Sequence, residues 1–310
     1  MENTRAKTTR NSLILLLTAT IWGMAFVSQS KGMDYMHPFT FNGVRSLIGA
    51  AGILVYILIS RKIAGDKAAK LDWKLNVKAG LLCGIFLTIA STLQQFGIKY
   101  TSVGKAGFIT TLYIIFVPMF GIFLKKKVAP VVWAAAGMAA VGMYLLCMTE
   151  SLRLGAGDIM VFLCAIAFAI QIMTVDHYAA RIDGAVVSCI QFTVCGVVCC
   201  IGALIWGQPT FGQIQEGLGA LLYAGVLSCG VGYTLQIVGQ KGLNPTVAAL
   251  IMSLESVIAT ISGWIAYKIG FLSTDQTLTP RQIVGCIIVF AAVILVQLPP
   301  EWFRVGKKNA

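Results

Sequence analysis

Charged side chains are scarce in this sequence. Asp, Glu, Lys and Arg make up 12% of its 310 residues, against roughly 25% in an ordinary soluble domain, whereas hydrophobic residues make up 57%. A soluble fold of this length has no interior large enough to bury so much apolar surface. Lipid is the solvent that accepts apolar side chains on the outside of a protein. The composition therefore excludes an ordinary water-soluble domain and predicts a membrane protein.

Metal-binding patterns are absent as well. The two histidines, His37 and His177, are far apart in the sequence, and the nine cysteines fall inside apolar runs with no CxxC among them. We interpret the cysteines as small packing residues and expect neither a metal nor a cofactor. The net charge of +12 comes from short basic clusters between apolar runs, which favours membrane topology over nucleic-acid binding.

Apolar runs of about 20 residues, the length that an α-helix needs to cross a bilayer, recur along the chain. They predict an all-α polytopic membrane protein with ten transmembrane helices, near residues 12–30, 38–59, 76–97, 106–124, 129–148, 156–178, 185–207, 217–239, 245–268 and 281–298. Four of these runs open with a proline, in the first helical turn where its missing N–H costs nothing: Pro38, Pro130, Pro245 and Pro280.

The basic residues indicate an orientation, because Lys and Arg are retained on the cytoplasmic side of a membrane. An N-terminus inside the cell leaves few of the 24 on the outer side, namely Lys31, Lys99, Lys105, Arg153, Lys268 and Arg281. Arg45 lies within the second run, and the others, including Lys67 and the cluster Lys125–Lys127, are on the inner side. We predict a multi-pass inner-membrane protein with both termini in the cytoplasm, and we leave its oligomeric state open.

The two halves of the sequence match weakly at an offset of 142 residues. The matches are Lys99, Ala106, Ile109, Leu112 and Gly121 with Lys241, Ala248, Ile251, Leu254 and Gly263. The same offset places Tyr113 opposite Glu255. Because five spans is an odd number, a second copy must cross the membrane upside down, as in many secondary transporters. We predict two inverted five-helix repeats, over residues 11–148 and 155–298.

The sequence resembles the drug/metabolite transporter superfamily, specifically proteins built from two EamA domains. The resemblance covers nearly the whole chain and rests on Ile21-Trp22-Gly23, Arg45, Gly157-Asp158, and Pro245 followed by Ala248, Ala249 and Leu254-Glu255. It implies ten helices, cytoplasmic termini and transport of small metabolites, often export of amino acids or related compounds.

The sequence departs from this family at two places. Ser256 replaces a proline that the family often has after the glutamate of span nine. Lys125–Lys127 and Tyr267-Lys268 replace an expected Gly-Glu pair at the ends of spans four and nine. A role that the family's glutamates have at these two span ends is therefore not expected in this chain, while the predicted fold is unaffected.

Arg45 and Glu255 are the ionisable residues placed well inside the predicted spans, where a charge costs ~2.5–3.5 kcal/mol on insertion scales. Glu255 is a candidate to take a proton or a substrate ammonium, and Arg45 to balance it or to hold a carboxylate. The alternative is a fixed structural ion pair between the repeats. The expected partners are a small-molecule solute, the lipid bilayer and a coupling ion, of which the proton is one candidate.

Polar and aromatic residues at similar depth complete the candidate site, with helix packing as the alternative for each. Those expected to face a solute cavity are Trp22, Asn42, Tyr113, Gln171, Gln191 and Tyr233. The candidate gating residues are Gln94, Gln95 and Gln236, near the ends of their spans, and Pro118, which interrupts the backbone hydrogen bonding of span four. For the three glutamines, hydrogen bonding at the rim of the bundle is the alternative.

A membrane-embedded enzyme is the main alternative class. Gly155-Ala156-Gly157-Asp158 matches the GxGD of intramembrane aspartyl proteases, but Asp176 lies roughly 27 Å further along the same helix at ~1.5 Å per residue. Paired carboxylate chemistry needs a much shorter separation. We interpret Asp158 as a residue of a helix's first turn and predict no catalytic residues. A secondary transporter is favoured over an enzyme and over a non-transporting scaffold or channel.

Overall fold

Each apolar run is largely helical, over the residues that are described, in the computed structural model of the protein. The structure describes residues 2–65, 71–124, 128–147, 155–273 and 275–297, with the side chains at 2–5, 146–147 and 296–297 excepted. Lys67, Lys125–Lys127 and Arg153, which entered the orientation argument, lie outside the described residues. Within the described part of the chain there is no β-strand.

The helices are α1 (Glu2–Gly32), α2 (Pro38–Ala64), α3 (Trp73–Ile98), α4 (Val103–Thr111), α5 (Tyr113–Phe123), α6 (Pro130–Cys147), α7 (Ala156–Tyr178), α8 (Gly184–Gly202), α9 (Phe211–Glu216), α10 (Leu218–Leu222), α11 (Tyr233–Gln240), α12 (Pro245–Met252), α13 (Leu254–Lys268) and α14 (Pro280–Gln297). Wider π-helical turns extend α8 over Ala203–Gly207 and join α10 to α11 over Tyr223–Gly232.

Eight helical stretches in the described residues are long and apolar enough to cross a membrane. They are Ala6–Gly32, Pro38–Ala64, Trp73–Ile98, Val103–Phe123, Ala156–Tyr178, Gly184–Gly207, Leu218–Gln240 and Pro245–Lys268. Two further apolar helices, Pro130–Leu145 and Pro280–Leu295, are shorter. The protein is thus an all-helical polytopic membrane protein, and a total of ten crossings stays a prediction.

Large apolar side chains cover the outside of the bundle. On α2, for example, Leu58 is 61% exposed and Ile63 81% exposed. Such residues would be unfavourable in water and are favourable against acyl chains. This surface agrees with the membrane environment that the composition predicts.

The predicted prolines begin their helices. Pro38 is the first residue of α2, and the preceding His37 caps the helix by accepting the Phe39 N–H at its Nδ1, 3.3 Å away. Pro245 begins α12 in the same way, after Asn244. A proline at this position removes an N–H that would have no partner inside the helix, so it marks the start without weakening it.

Spans four and nine are each interrupted, at positions that differ by one residue in the repeat register. Leu112 separates α4 from α5, and Ser253 separates α12 from α13. The Ser253 hydroxyl donates to the Leu250 carbonyl at 2.7 Å, a local bond that competes with the backbone hydrogen bonds of a continuous helix. Each interruption comes just before a residue of the candidate site, Tyr113 in one half and Glu255 in the other.

The helices pair between the two halves of the chain, and small residues let them approach closely. The helix α2 packs on α8, α3 on α7, and α6 on α14, while α1 lies against both α13 and α11. A methyl group on Gly97 of α3 would lie 2.8 Å from the Gly157 carbonyl oxygen of α7, and one on Gly23 of α1 would lie 2.7 Å from the Glu255 carbonyl oxygen of α13. Glycine is therefore required at both crossings.

Candidate solute site

A central cavity lies between the two halves. Its volume is about 30 Å³, room for one or two water molecules. The residues around it are Trp22, Phe26, Gln29, Arg45, Ser46, Leu87, Ser91, Gln94, Thr110, Tyr113, Phe168, Gln171, Ile172, Phe192, Ser228, Cys229, Tyr233, Gln236 and Glu255. Both ionisable residues of the predicted site are therefore in one cavity.

Glu255 lies in the first turn of α13 and is 4% exposed. Its Oε1 accepts a hydrogen bond from the Tyr113 hydroxyl at 3.1 Å. The sequence offset placed these two residues opposite each other, and the structure brings them into contact. A carboxyl group so deeply buried is stable only if it is protonated, hydrogen-bonded or paired with a cation.

Arg45 reaches the same cavity from α2 and is 5% exposed. Its guanidinium lies 5.4 Å from the centre of the Phe41 ring, and its Nε has no hydrogen-bond partner. The ion pairs in the described residues are Lys31–Asp34 and Lys105–Asp158. A direct Arg45–Glu255 pair, the structural alternative raised by the sequence, is thus not formed in this conformation.

Aromatic rings form one wall of the cavity. The Trp22 and Tyr233 ring centres are 4.5 Å apart, and Phe192 meets Tyr233 edge-on at 5.0 Å. The indole Nε1–H of Trp22 is buried and has no acceptor. Because such a donor is costly to leave unpaired, it is available to a bound molecule or to water. Trp22, Tyr113 and Tyr233 all line this cavity.

Glutamines lie at both ends of the cavity. Gln171 and Gln236 bond to each other through their amides, at 3.1 and 3.5 Å. Gln94 donates to the Thr110 hydroxyl at 3.2 Å, and Gln95 donates to the Gln29 carbonyl at 3.1 Å. Four glutamines line the cavity, Gln29, Gln94, Gln171 and Gln236. Gln95 lies behind the wall and joins α3 to α1.

Besides Gln95, three predicted site residues lie outside the cavity lining. Asn42 is buried and donates to the Ser91 carbonyl at 2.9 Å. Gln191 is fully buried, and neither its Oε1 nor its Nε2 has a hydrogen-bond partner among the described residues. Pro118 is a buried residue inside α5.

Asp158 has a structural environment. It lies in the first turn of α7 and accepts the Gly155 N–H at 2.9 Å and the Thr101 hydroxyl at 2.9 Å. The Lys105 ammonium lies 2.6 Å from its Oδ2. These contacts tie the start of α7 to the start of α4, so the carboxylate is engaged with protein groups at the place where the sequence predicted a helix-start residue.

The described residues contain no group of three or more His, Cys, Asp or Glu side chains that could hold a metal ion. His37 caps α2, whereas His177 is in the last turn of α7.

Several lining residues were not predicted from the sequence. Phe26, Gln29, Phe168 and Phe192 are examples. A signal for three of them was available, because the 142-residue offset also matches Phe26 with Phe168 and Gln29 with Gln171. Phe192 carries no such signal, since its orientation depends on how α8 is rotated.

Known proteins resemble this chain over most of its length. A model of the EamA-like transporter family matches residues 10–148 and 155–298. An uncharacterized transporter of Archaeoglobus fulgidus is 28% identical over 290 residues, covering 92% of this chain and 84% of the relative. The uncharacterized transporter YwfM of Bacillus subtilis is 24% identical, covering 94% of each chain.

The fold is also found among solved structures. One crystal structure superposes with a TM-score of 0.73 at 16% identity and covers 96% of this chain and 99% of its own. A sequence identity of 16% shows that the two proteins share a fold and shows nothing about function. The family match, in contrast, covers both halves of the chain almost completely. The chain belongs to the EamA-like transporter family, within the drug/metabolite transporter superfamily.

Proposed function

We propose that the protein is a secondary carrier that exports small zwitterionic metabolites, such as amino acids and related compounds, across the inner membrane. One observation carries this proposal: Arg45 and Glu255, of opposite charge, face one cavity without pairing to each other. A solute with a carboxylate and an ammonium would satisfy both groups. Family membership and the names of the relatives support a transporter rather than an enzyme.

Each charged group has a definite role in this proposal. The Arg45 guanidinium offers several N–H donors that suit a carboxylate. Glu255 would accept the solute ammonium and exchange it for a proton, which makes the proton the proposed coupling ion. Trp22 and Tyr233 offer flat apolar surface and ring faces that favour a cation nearby.

Alternating access between two inverted five-helix repeats, residues 11–148 and 155–298, is the proposed mechanism. Repeated contacts support it. The helix α3 packs on α7 through Gly97 and Gly157, and α11 packs on α1 through Gly239 and Leu15, which are the corresponding residues at the 142-residue offset. The interruptions at Leu112 and Ser253 lie at nearly the same register.

A flux assay in proteoliposomes tests the proposed function. The probes are a labelled zwitterionic amino acid, the amine that lacks its carboxylate, and the acid that lacks its ammonium. We expect saturable flux of the zwitterion, with a proton gradient driving it. Equal flux of all three probes, or flux that does not saturate, would overturn the proposal in favour of a channel. Absence of flux for every zwitterion tested would overturn the solute class.

A further inference from the structure

Four glutamines around the cavity form two corresponding pairs, one in each half of the chain. The 142-residue offset matches Gln29 with Gln171 and Gln94 with Gln236. Around the second match the sequence itself repeats, as Thr92-Leu93-Gln94 and Thr234-Leu235-Gln236, each followed by a glycine and a lysine at the same spacing. We call Gln29 and Gln94 the first-repeat pair, and Gln171 and Gln236 the second-repeat pair.

The first-repeat pair lies where α1 and α3 end. The Gln95 amide donates to the Gln29 carbonyl and so holds these two helix ends together. The start of α7 lies beside them, because Gly97 meets Gly157 there. We call this region of the bundle the α3 end.

The second-repeat pair lies at the opposite region of the bundle. Gln240, the last residue of α11, donates to the Ile172 carbonyl of α7 at 3.4 Å. Gly239 meets Leu15, which precedes Gln29 by 14 residues along α1. Gln171 is 14 residues beyond Gly157, which is roughly 21 Å along α7 at ~1.5 Å per residue. We call this region the α11 end, and the cavity lies between the two ends.

The two pairs have the same chemistry but different bonding. The amides of Gln171 and Gln236 bond to each other in both directions. The amide of Gln94 instead donates to Thr110, and the buried Oε1 of Gln29 has no partner. A buried carbonyl oxygen without a donor is unfavourable, so the first-repeat pair is in an unsatisfied arrangement that a mutual amide bond would relieve.

We propose that the two glutamine pairs are alternating gates of the central cavity. The second-repeat pair is joined and closes the α11 end in the conformation described here. When the repeats exchange conformations, Gln29 and Gln94 join at the α3 end and Gln171 separates from Gln236. This inference rests on the proposed alternating-access function, and it assigns the closing contacts to named side chains.

The native thiol of Cys229 reports on these gates. It lines the cavity and is 2% exposed, so a charged, membrane-impermeant thiol reagent reaches it only when one end opens. The modification rate would be measured by mass spectrometry of the peptide, with reagent applied to right-side-out and to inside-out vesicles. The Cys229→Ala variant assigns the signal. In the predicted orientation the α3 end faces outward, since Lys31 and Lys99 lie there. For the wild-type protein we therefore expect faster modification in right-side-out vesicles, from the α3 end.

Variants of the two pairs should shift the modification rate in opposite directions. Gln171→Leu or Gln236→Leu keeps the side-chain volume and removes the amide bond, so modification from the α11 end should rise roughly fivefold. The matched controls Gln29→Leu and Gln94→Leu weaken the alternative gate, so modification from the α11 end should fall. Changes of the same sign in both pairs, or no change, would overturn the proposal.

A charged pair provides a second test that does not depend on the tolerance of leucine. Gln171→Glu combined with Gln236→Lys would rebuild the contact as an ion pair, and modification from the α11 end should return to the wild-type rate or below it. If the rate stays high in this inserted, monodisperse variant, the gate assignment is wrong. No solute is needed in either assay, so a failure of the proposed zwitterion flux and a failure of the gates would be seen separately.

Discussion

The phenolic hydroxyl of Tyr113 donates to Oε1 of Glu255 at 3.1 Å, across 142 residues of sequence. These positions correspond to each other in the two halves of the chain. Two corresponding residues of a pseudo-twofold arrangement can touch only where they meet the axis that relates the halves. If the halves are the inverted repeats proposed above, the contact lies close to the axis that relates them, and so does the Glu255 carboxyl group.

Glu255→Gln should leave a folded, inserted protein whose zwitterion flux is lost or no longer follows pH. The amide keeps the shape and the hydrogen bond with Tyr113 but carries no charge and takes up no proton. A lost charged contact of about 1.5–3 kcal/mol corresponds to a flux decrease of tenfold or more. Flux at several pH values, normalised to inserted protein, measures the effect.

Tyr113→Phe is the matched control, because it removes the hydroxyl and leaves Glu255 in place. We expect a partial loss of flux, with pH dependence kept. A stable Glu255→Gln variant with wild-type flux and pH dependence would refute the role assigned to Glu255.

Arg45→Gln should abolish the preference for solutes that carry a carboxylate. Wild-type protein should favour the zwitterion over the matching amine by at least about tenfold, and the variant should transport or bind the two alike. Arg45→Lys keeps a charge but loses the planar donor set, so an intermediate preference is expected. Competition assays with the amine and the zwitterion measure the ratio. A variant that keeps the full preference would show that another group binds the carboxylate.

The double variant Arg45→Gln with Glu255→Gln separates the cavity site from a structural ion pair. Since the structure contains no direct pair, the effects on the free energy of unfolding should add to within about 0.5 kcal/mol. A fixed pair would instead make the double variant markedly more stable than the sum of the single variants predicts. Thermal unfolding in detergent provides the comparison.

Asp158→Asn should lower stability and leave transport per folded molecule nearly unchanged. It removes the ion pair with Lys105 and weakens the bonds to Gly155 and Thr101, for an expected loss of roughly 1–3 kcal/mol, between the values of surface and buried pairs. Lys105→Met added to it should cost little more, because no charge is then left unpaired. If Asp158→Asn instead abolished a proteolytic activity in an intact fold, Asp158 would be catalytic and the protein would be an enzyme.

His37 should make the protein less stable on acidification. Partial burial, followed by the nearby Lys99 charge, holds the pKa of His37 below its ordinary value. Its neutral Nδ1 accepts the Phe39 N–H, and protonation removes that acceptor. The contribution of this cap to the free energy of unfolding is therefore fully present above the ordinary histidine pKa. It is lost as the pH falls through the lowered pKa of His37 in the folded protein. His37→Asn keeps a cap acceptor that does not titrate. The free energy of unfolding of this variant should therefore fall by about 1 kcal/mol less than that of the wild type between pH 7.5 and pH 5, as measured by thermal unfolding.

The orientation can be tested with introduced cysteines. An impermeant reagent outside the cell should label a cysteine at Gln208, which lies between α8 and α9, and should miss one at Lys67. The physical reason is the retention of the basic segments in the cytoplasm. The reverse pattern would show that the chain is inserted the other way.

The sequence predicted the helices well because hydrophobic length alone identifies them. It also identified their starts, since Pro38 and Pro245 are tolerated at few other helix positions. The contact of Tyr113 with Glu255 was accessible too, through the repeat offset. These features depend on local sequence or on one long-range symmetry.

The orientation of each helix about its own axis could not be predicted. A helix that faces lipid on one side and protein on the other is apolar all round, so no amphipathic pattern shows which face is buried. Asn42 and Gln191 were therefore expected in the cavity but lie outside its lining. The Lys105–Asp158 pair was missed for a related reason, because its members are 53 residues apart and on different helices.

The small size of the central cavity has a consequence for the cell. A proton crosses a membrane readily only along an unbroken file of hydrogen-bonded water, and about 30 Å³ holds one or two molecules. In this conformation the cavity is too small to hold such a file. For the carrier proposed above we therefore expect no proton leak in this conformation, so that many copies in the membrane would not dissipate the electrochemical gradient.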